Sequence, residues 1–184
     1  MKFLETELAG PVIIELEPKT DERGMFARTF CVDEFAAHGL NTTVAQCNLS
    51  FNRVSGTLRG LHYQRAPFGE TKVVRCTRGA IFDVIVDLRP SSATYLQHIG
   101  VELTADNGRA LYVPESFAHG FETLEDQTEV AYQMGSAYVP GAEVGIRFDD
   151  PTFAIDWPIP VRCLSDRDAA LPHWSTVNVP PVGR

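Results

Sequence analysis

Residues 80–88 read AIFDVIVDL, and this stretch decides the fold class. Successive side chains of a strand point to opposite faces. One face therefore carries Phe82, Val84, Val86 and Leu88, and the other carries Ile81, Asp83, Ile85 and Asp87. Such alternation predicts a strand with one face in an apolar core and one in solvent. A β-barrel offers a second arrangement, in which the two carboxylates point into a ligand cavity.

Short runs of the same kind continue on both sides of this strand. Turn residues such as Gly56, Pro67 and Gly79 separate the runs. Many short strands with such turns predict an all-β antiparallel sandwich or barrel. The predicted strands are residues 12–17, 44–51, 57–64, 72–77, 80–88, 98–103, 110–113, 120–124 and 129–138.

Helical patterns are limited to two short segments. Residues 33–38, followed by Gly39, predict one helix with a glycine stop, and residues 165–168 open a short turn before Pro172. The chain has no internal repeat, linker or low-complexity segment, so we expect residues 1–184 to form a single domain. The last ten residues, with Pro180–Pro181, are expected to fray.

The composition is ordinary for a globular protein, with 44% hydrophobic and 22% charged residues. The net charge is −8 and there is no basic run, which argues against a nucleic-acid-binding surface. Residues 1–17 lack the charged-then-apolar pattern of a signal peptide, and no apolar run approaches the roughly 20 residues of a membrane helix. We therefore expect a cytoplasmic protein that binds neither nucleic acid nor membrane.

The four cysteines form no CxxC pair. A zinc site or a redox motif built on cysteines is therefore not supported. Scattered single cysteines usually behave as small buried hydrophobes, and this is our prediction for Cys31, Cys47, Cys76 and Cys163.

Several polar side chains fall inside predicted strands. His62 and His119 are two of the five histidines, and a lone strand histidine is by default a hydrogen-bonded structural residue. Lys72, Asp83 and Tyr132 also lie in predicted strands. A lysine or an aspartate inside a small barrel is costly unless it is solvated or paired. Each residue alone fits an outer face, but together they indicate an enclosed polar site.

These residues belong to longer blocks with a recognisable order. The blocks are DERGMF (21–26), QCNLS (46–50), TLRGLHYQ (57–64), DVIVDLR (83–89), VPESFAHGF (113–121), DP (150–151), WP (157–158) and LSDRD (164–168). In this order and at nearly this spacing, from about residue 3 to 172, they resemble the dTDP-4-dehydrorhamnose 3,5-epimerase family. The combination is far more specific than any single block.

The resemblance implies a cupin-type double-stranded β-helix, or jelly roll, with a few short helices. It also implies a homodimer without a cofactor that acts on a nucleotide-activated 4-keto-6-deoxy-hexose. The implied reaction inverts C3 and C5 of dTDP-4-dehydro-6-deoxy-D-glucose through an enolate and gives dTDP-4-dehydro-L-rhamnose.

Four residues match the catalytic positions of the family. The resemblance makes His62 the base, and an imidazole suits this task because it titrates near neutrality. Asp168 is implied as the carboxylate that fixes the tautomer of His62. Lys72 is implied beside the ketone oxygen, where an ammonium meets the developing charge. Tyr132 is implied as the acid on the opposite face, with a pKa that the surroundings can lower.

Further matched positions surround the substrate, the base and the phosphates: Arg23, Phe26, Gln46, Asn48, Arg59, His119, Tyr138, Glu143 and Arg167. Guanidinium groups pair well with phosphate oxygens, so the three arginines are candidates for the diphosphate. Phe26 and Tyr138 are candidates for stacking on the base. If Arg23 and Phe26 lie on an N-terminal strand, the partner subunit can supply them by strand exchange. Asp83 is expected inside the cavity, hydrogen-bonded beside His62 or His119.

Arg59 and His62 are three residues apart, so a regular strand places them on opposite faces. If both line one site, the strand must bend or bulge near Gly60.

A metal ion is not expected. Cupins often hold one through two histidines separated by one residue, a glutamate and a later histidine. Gln64 stands in place of the second histidine, which leaves Glu70 and His119 as an incomplete ligand set. Lys72 nearby would also repel a cation.

Two departures leave the exact substrate open. Arg28 stands where the family commonly has a glutamate at the nucleotide end, and residues 51–55 are about one residue longer than in many members. A CDP- or GDP-linked sugar, or inversion of only C3 or only C5, therefore stays open. A non-catalytic sugar-nucleotide-binding module is a further alternative, although His62 and Tyr132 argue against it. A metal cupin acting as an oxygenase or isomerase would require stoichiometric metal.

Overall fold

The computed structural model describes residues 1–177 and is dominated by short strands. The strands are β1 (Lys2–Glu5), β2 (Val12–Glu15), β3 (Lys19–Asp21), β4 (Gly24–Phe26), β5 (Gln46–Asn52), β6 (Leu58–Gln64), β7 (Lys72–Arg78), β8 (Ala80–Asp87), β9 (His98–Thr104), β10 (Ala110–Val113), β11 (Phe117–Thr123), β12 (Thr128–Met134) and β13 (Glu143–Gly145). The helices are α1 (Val32–Ala37), α2 (Asp166–Ala169) and the 3-10 turn Trp174–Thr176. No helix within residues 1–177 has the length and apolar composition needed to cross a bilayer.

Two antiparallel sheets form the body of the protein. A six-stranded sheet has the order β1-β2-β10-β7-β12-β5, and a five-stranded sheet has the order β13-β6-β11-β8-β9. Strands β3 and β4 form a separate hairpin. This architecture confirms the expected all-β, cupin-type jelly roll. All nine predicted strands exist, although the one predicted to end at residue 138 stops at Met134 and the one predicted to start at residue 120 starts at Phe117.

The main core lies between the two sheets. Ile81 and Ile85 of β8 pack there against residues such as Val74, Phe121 and Val130. Asp83 lies on the same face of β8 and has no solvent exposure. The interior face of β8 therefore combines apolar side chains with one buried carboxylate.

The other face of β8 is also buried. The expectation that one face of this strand lies in solvent is therefore wrong. Val86 and Leu88 on that face pack with Ile146 and Phe153, which come from the C-terminal third of the chain. Because this segment covers the five-stranded sheet from outside, both faces of β8 are buried.

Asp87 ends β8 but does not reach a cavity. Its carboxylate accepts hydrogen bonds from Arg89, Ser92 and Thr94 in the following turn. Burial alone would raise the pKa of Asp87, but these donors hold it well below its usual range. The expectation of a carboxylate that points into a ligand cavity is therefore wrong for Asp87.

Both predicted helical segments exist. Helix α1 is followed by Gly39 with φ +69°, the left-handed conformation expected of a glycine stop. Helix α2 begins after Ser165, whose Oγ accepts a hydrogen bond from the Asp168 N–H at 3.0 Å. The expected fraying around Pro180–Pro181 lies outside the described residues.

The cysteine prediction was correct only in part. Cys76 is buried in the main core, and burial raises the pKa of its thiol to about 11. Cys47 and Cys163 are exposed and Cys31 is half-buried, so these three are not core hydrophobes.

Strand β6 contains the predicted irregularity at Gly60. Arg59 lies opposite Phe121 of β11 and His62 lies opposite His119, so three steps on β6 match two steps on β11. This is a β-bulge, and Gly60 adopts φ +121° within it. A Cβ atom at Gly60 would lie 2.7 Å from the Gly120 Cα, so the two strands approach too closely for a side chain.

We expect Gly60→Ala to destabilise the fold by about 2–5 kcal/mol, the sum of a strained φ and a steric overlap with the neighbouring strand. Gly24→Ala is a matched control because Gly24 has φ +125° with nothing within 4 Å of an added Cβ. It should cost only about 1–3 kcal/mol, the backbone part alone. Denaturant unfolding measures both. If both variants lost the same free energy of unfolding, the close contact with Gly120 would not contribute to the effect of Gly60→Ala.

Candidate active site

A polar cavity of about 400 Å³ opens between the two sheets. Side chains of both sheets, of the loop after β12 and of helix α2 line it. Of the residues named from the sequence, it brings together His62, Lys72, Tyr132, Asp168, Gln46, Asn48, Arg59, His119, Tyr138, Glu143 and Arg167.

His62 and Asp168 form a hydrogen-bonded pair. His62 Nε2 lies 2.9 Å from Asp168 Oδ1, and the Gly60 N–H points to Asp168 Oδ2 at 3.4 Å. Burial acts to raise the pKa of Asp168, but the contacts with His62 and Gly60 hold it below its usual range. An ionised carboxylate only accepts, so Nε2–H is the donor and the Nδ1 lone pair is left as the basic site.

A second histidine–aspartate pair lies next to the first. His119 Nε2 is 2.8 Å from Asp83 Oδ1, and both side chains are buried. His119 is the direct cross-strand neighbour of His62. Asp83 is hydrogen-bonded beside His119 as expected, but it lies behind the histidine and does not line the cavity. Its Oδ2 has no hydrogen-bond partner within residues 1–177.

Tyr132 reaches the cavity from the opposite sheet. It lies on β12 and its ring meets the His119 ring edge-on, with 6.3 Å between centroids. Burial and the negative charge of Asp83 raise the pKa of Tyr132 strongly, and Arg59 opposes this only in part. The expectation of a lowered pKa was therefore wrong, and the phenol keeps its proton at neutral pH.

Lys72 is not a solvated strand end. Only 9% of its side chain is exposed, and Nζ lies 3.1 Å from Glu70 Oε1. The ammonium also points toward the His62 carbonyl oxygen at 3.5 Å. The cavity wall therefore holds a buried cation with one carboxylate partner.

The arginines of the cavity differ in how they are held. Arg59 donates from Nε to Asn52 Oδ1 at 2.8 Å, and Asn52 is itself buried. Arg167 pairs with Glu143 at 2.6 Å but is 64% exposed. Both guanidinium groups stand at the cavity, where an anionic group could meet them.

Two glutamine side chains anchor the loop that carries Tyr138. Gln46 Oε1 accepts from the Tyr138 N–H, and Gln64 Oε1 accepts from the Val139 N–H, both at 3.1 Å. The Tyr138 ring is half exposed at the edge of the cavity.

Arg23 and Phe26 are not brought to this cavity. Both lie on the β3–β4 hairpin, where the Arg23 side chain is 85% exposed and pairs with Asp21. Phe26 is 77% exposed. Arg28 also lies outside the cavity and pairs with Glu34 of α1 at 2.6 Å.

The sequence reasoning did not assign several residues that line the cavity: Leu49, Ser50, Gln64, Glu70, Phe121, Met134 and Ser165. Four of them follow a named site residue by two positions on the same strand, as Gln64 follows His62 and Phe121 follows His119. Period-two alternation could have identified these four, Gln64, Ser50, Phe121 and Met134.

No group of three or more histidine, cysteine, aspartate or glutamate side chains within residues 1–177 is arranged to hold a metal ion. Glu70 is engaged by Lys72, and His119 is engaged by Asp83.

The chain is similar to known proteins in both sequence and shape. A sequence profile described as dTDP-4-dehydrorhamnose 3,5-epimerase matches residues 5–176. A dTDP-4-dehydrorhamnose 3,5-epimerase from Methanothermobacter thermautotrophicus is 44% identical over 98% of this chain and 97% of its own. A dTDP-4-dehydrorhamnose 3-epimerase from Streptomyces niveus is 42% identical over 91% of this chain and 81% of its own.

A solved structure has the same shape. It is the dTDP-6-deoxy-D-glucose-3,5-epimerase from Legionella pneumophila in complex with dTDP-4-keto-L-rhamnose. It superposes with a TM-score of 0.91 at 36% identity, over 96% of this chain and 94% of its own. The chain is thus similar along nearly its whole length to enzymes of one reaction class.

The buried position of Tyr132 predicts that it does not ionise near pH ~10, where an exposed tyrosine is about half ionised. At that pH, folded wild type and folded Tyr132→Phe should have the same ultraviolet phenolate absorbance. In urea the two must differ by one tyrosine of the five in the chain, which serves as the control. A difference already present in the folded proteins would contradict the raised pKa.

Proposed function

The chain belongs to the dTDP-4-dehydrorhamnose 3,5-epimerase family, and we propose that it converts dTDP-4-dehydro-6-deoxy-D-glucose to dTDP-4-dehydro-L-rhamnose by inverting C3 and C5. One observation carries this proposal. A hydrogen-bonded imidazole on the five-stranded sheet and a protonated phenol on the six-stranded sheet line the same cavity. Inversion of a carbon next to a ketone needs a base on one face and an acid on the other.

His62 acts as the base in this proposal. The C4 ketone acidifies the hydrogens on C3 and C5, so the imidazole has to accept a proton from carbon. The Asp168 carboxylate holds the Nε2–H at 2.9 Å, which leaves Nδ1 to take the proton. It also stabilises the imidazolium that forms, as the carboxylate of a catalytic triad does.

Lys72 stabilises the enolate. Removal of a proton from C3 or C5 moves negative charge onto the C4 oxygen, and a nearly buried ammonium interacts with that oxygen far more strongly than a solvated one. The side chain starts on β7 and lines the same cavity as His62 and Tyr132.

Tyr132 returns a proton to the opposite face. Because burial and Asp83 keep the phenol protonated, it already carries the proton that it donates to the substrate. Arg59 and the Ser50 hydroxyl favour the phenolate and therefore ease the proton transfer.

The nucleotide part of the substrate extends toward the cavity edge. Arg59 and Arg167 are the guanidinium groups placed to meet the diphosphate, and the half-exposed Tyr138 ring is placed to stack on the base. Gln46, Asn48, His119 and Glu143 supply further polar contacts along the wall.

The active form is proposed to be a homodimer. Arg23 and Phe26 stand out on an exposed hairpin, where Met25 is also 62% exposed. A hairpin of this kind reaches a second copy more readily than the cavity of its own chain. In the dimer, Arg23 and Phe26 of each subunit would complete the nucleotide end of the other site.

The proposal also includes the domain organisation and the cellular location of the protein. Residues 1–184 act as one domain, since the family profile spans residues 5–176. The protein works in the cytoplasm, where four unpaired cysteines such as those present here stay reduced.

A single C3 epimerase is the second candidate. The relative from Streptomyces niveus is named a 3-epimerase and is 42% identical to this chain. The two candidates use the same base, acid and cation, so they differ only in whether the base also reaches C5.

Incubation of the enzyme with dTDP-4-dehydro-6-deoxy-D-glucose in deuterated water should place deuterium at both C3 and C5, read by NMR. Deuterium at C3 alone would favour the single epimerase, and no deuterium despite tight binding would contradict the enzymatic proposal. His62→Ala should abolish the exchange and leave the dTDP dissociation constant unchanged within about threefold, because the imidazole acts on the sugar. Full activity of this variant would show that His62 is not the catalytic base.

Tyr132→Phe should separate the two proton transfers. Transfer of the C3 and C5 hydrogens from the substrate to the solvent should continue, whereas formation of inverted product should fall by at least about a hundredfold, the usual scale for a general acid. Equal loss of both steps would count against an acid role.

Co-expression of Arg23→Ala with His62→Ala tests the exchanged hairpin. If Arg23 serves the partner's site, the mixed dimer contains one intact site and should recover up to half of the wild-type activity per dimer. If Arg23 serves its own chain, both sites stay defective and no activity returns.

A further inference from the structure

We propose that Glu70 is a positioning residue that holds the Lys72 ammonium at the cavity wall, and that Gln64 ties this carboxylate to the loop that carries Tyr138. The catalytic consequence rests on the proposed function of Lys72. The positioning itself rests on contacts within the chain.

The first step is the isolation of Lys72. Its side chain is 9% exposed and that of Glu70 is 11% exposed, so water contributes little to either charge. Within residues 1–177, the ammonium has one further polar contact besides Glu70, with the His62 carbonyl oxygen at 3.5 Å. A buried ammonium without a carboxylate partner is costly and leaves its position or loses its proton. Glu70 therefore keeps the cation in the cavity.

The second step is the rigidity of Glu70 itself. On one side of it the Ser136 hydroxyl donates to the Gly69 carbonyl at 2.9 Å, and on the other the Gly135 N–H donates to the Thr71 carbonyl at 2.8 Å. These two bonds fix the backbone at Glu70 against the end of β12. The carboxylate thus approaches Lys72 from a fixed direction.

The third step is the connection through Gln64. Its side-chain amide donates to Glu70 Oε2 at 2.9 Å, and its carbonyl accepts from the Val139 N–H at 3.1 Å. Gln64 is 3% exposed, so these bonds do not compete with bulk water. A continuous chain of bonds therefore runs from Lys72 to the residue next to Tyr138.

This chain of bonds links two functions of the cavity. Tyr138 stands where the nucleotide is proposed to bind, and Lys72 stands where the enolate oxygen develops. Glu70 contributes to turnover through Lys72 and not through nucleotide binding.

The test compares Glu70→Gln with Glu70→Asp and uses Glu102→Gln, an exposed position outside the cavity, as the matched control. We expect Glu70→Gln to lower kcat and the deuterium exchange by about tenfold to a hundredfold, the usual scale for residues that orient a functional group. KM and the dTDP dissociation constant should stay within about threefold. Glu70→Asp keeps the charge and should lose only a few-fold in kcat.

A second readout does not depend on activity. The chain has three lysines, Lys2, Lys19 and Lys72, so acetylation of each is resolved by mass spectrometry. Lys72 should be labelled slowly in wild type and at least about fivefold faster in Glu70→Gln, because the amine is no longer held by a carboxylate. Lys2 and Lys19 are the internal controls and should not change.

The outcomes separate the two proposals. Absence of deuterium exchange in wild type with faster labelling of Lys72 in Glu70→Gln would refute the epimerase and keep the positioning role. Unchanged kcat and unchanged labelling in Glu70→Gln would overturn the positioning role. A parallel fall of kcat, dTDP affinity and melting temperature would also overturn it in favour of a structural role. If Glu70→Gln does not fold, Glu70→Ala is measured in its place, and unchanged kcat and unchanged labelling of Lys72 in that variant overturn the proposal.

Discussion

The site depends on the close approach of strands β6 and β11 at Gly60 and Gly120. A Cβ on either glycine would lie 2.7 Å from a backbone atom of the other strand, so only glycine permits this contact. The bulge adds one residue to β6, which lets both Arg59 and His62 line the cavity although they are three positions apart. It also points the Gly60 N–H at Asp168, so helix α2 docks where its carboxylate reaches His62. This one backbone constraint therefore positions three side chains at the same cavity, those of His62, Asp168 and Arg59.

Charge pairing explains how a polar cavity survives between two sheets. Each buried ionisable group has an opposite charge or a hydrogen-bond partner: His62 with Asp168, His119 with Asp83, and Lys72 with Glu70. Without such partners the desolvation of these groups would exceed what a small β-sandwich can tolerate. The pairs also determine the electrostatic environment of the cavity. Asp83 lies next to His119, and its negative charge adds to the effect of burial in raising the pKa of the Tyr132 phenol on the facing sheet.

The alternation of residues 80–88 and of similar runs was enough to predict nine strands and an antiparallel sandwich or barrel, whereas the jelly roll and most residues of the cavity wall were expected from the family resemblance. Strands β1, β3, β4 and β13 were missed because they have only three or four residues, too few for a periodic pattern. The outer face of β8 was misjudged because its cover comes from a distant part of the chain. The direction of the Tyr132 pKa shift was misjudged because it depends first on burial between the two sheets and then on Asp83 from the facing sheet, neither of which the sequence shows. Arg23 and Phe26 could be named by resemblance, but the fold of one chain does not carry them to the cavity.

One base and one acid are enough for two inversions if the substrate, and not the protein, changes position. In a gluco-configured 4-keto ring the hydrogens on C3 and C5 are both axial and point to the same face. In the proposed reaction, the imidazole of the five-stranded sheet meets that face of the ring, and the phenol of the six-stranded sheet meets the other face. The C4 oxygen is equidistant from the two carbons, so an ammonium that holds this oxygen acts as a pivot about which either carbon can approach the base. Under the proposed function, we expect the firmness with which Lys72 holds this oxygen to decide whether one carbon or both can approach the base. In this chain that firmness depends on the contacts of Lys72 with Glu70 and the His62 carbonyl.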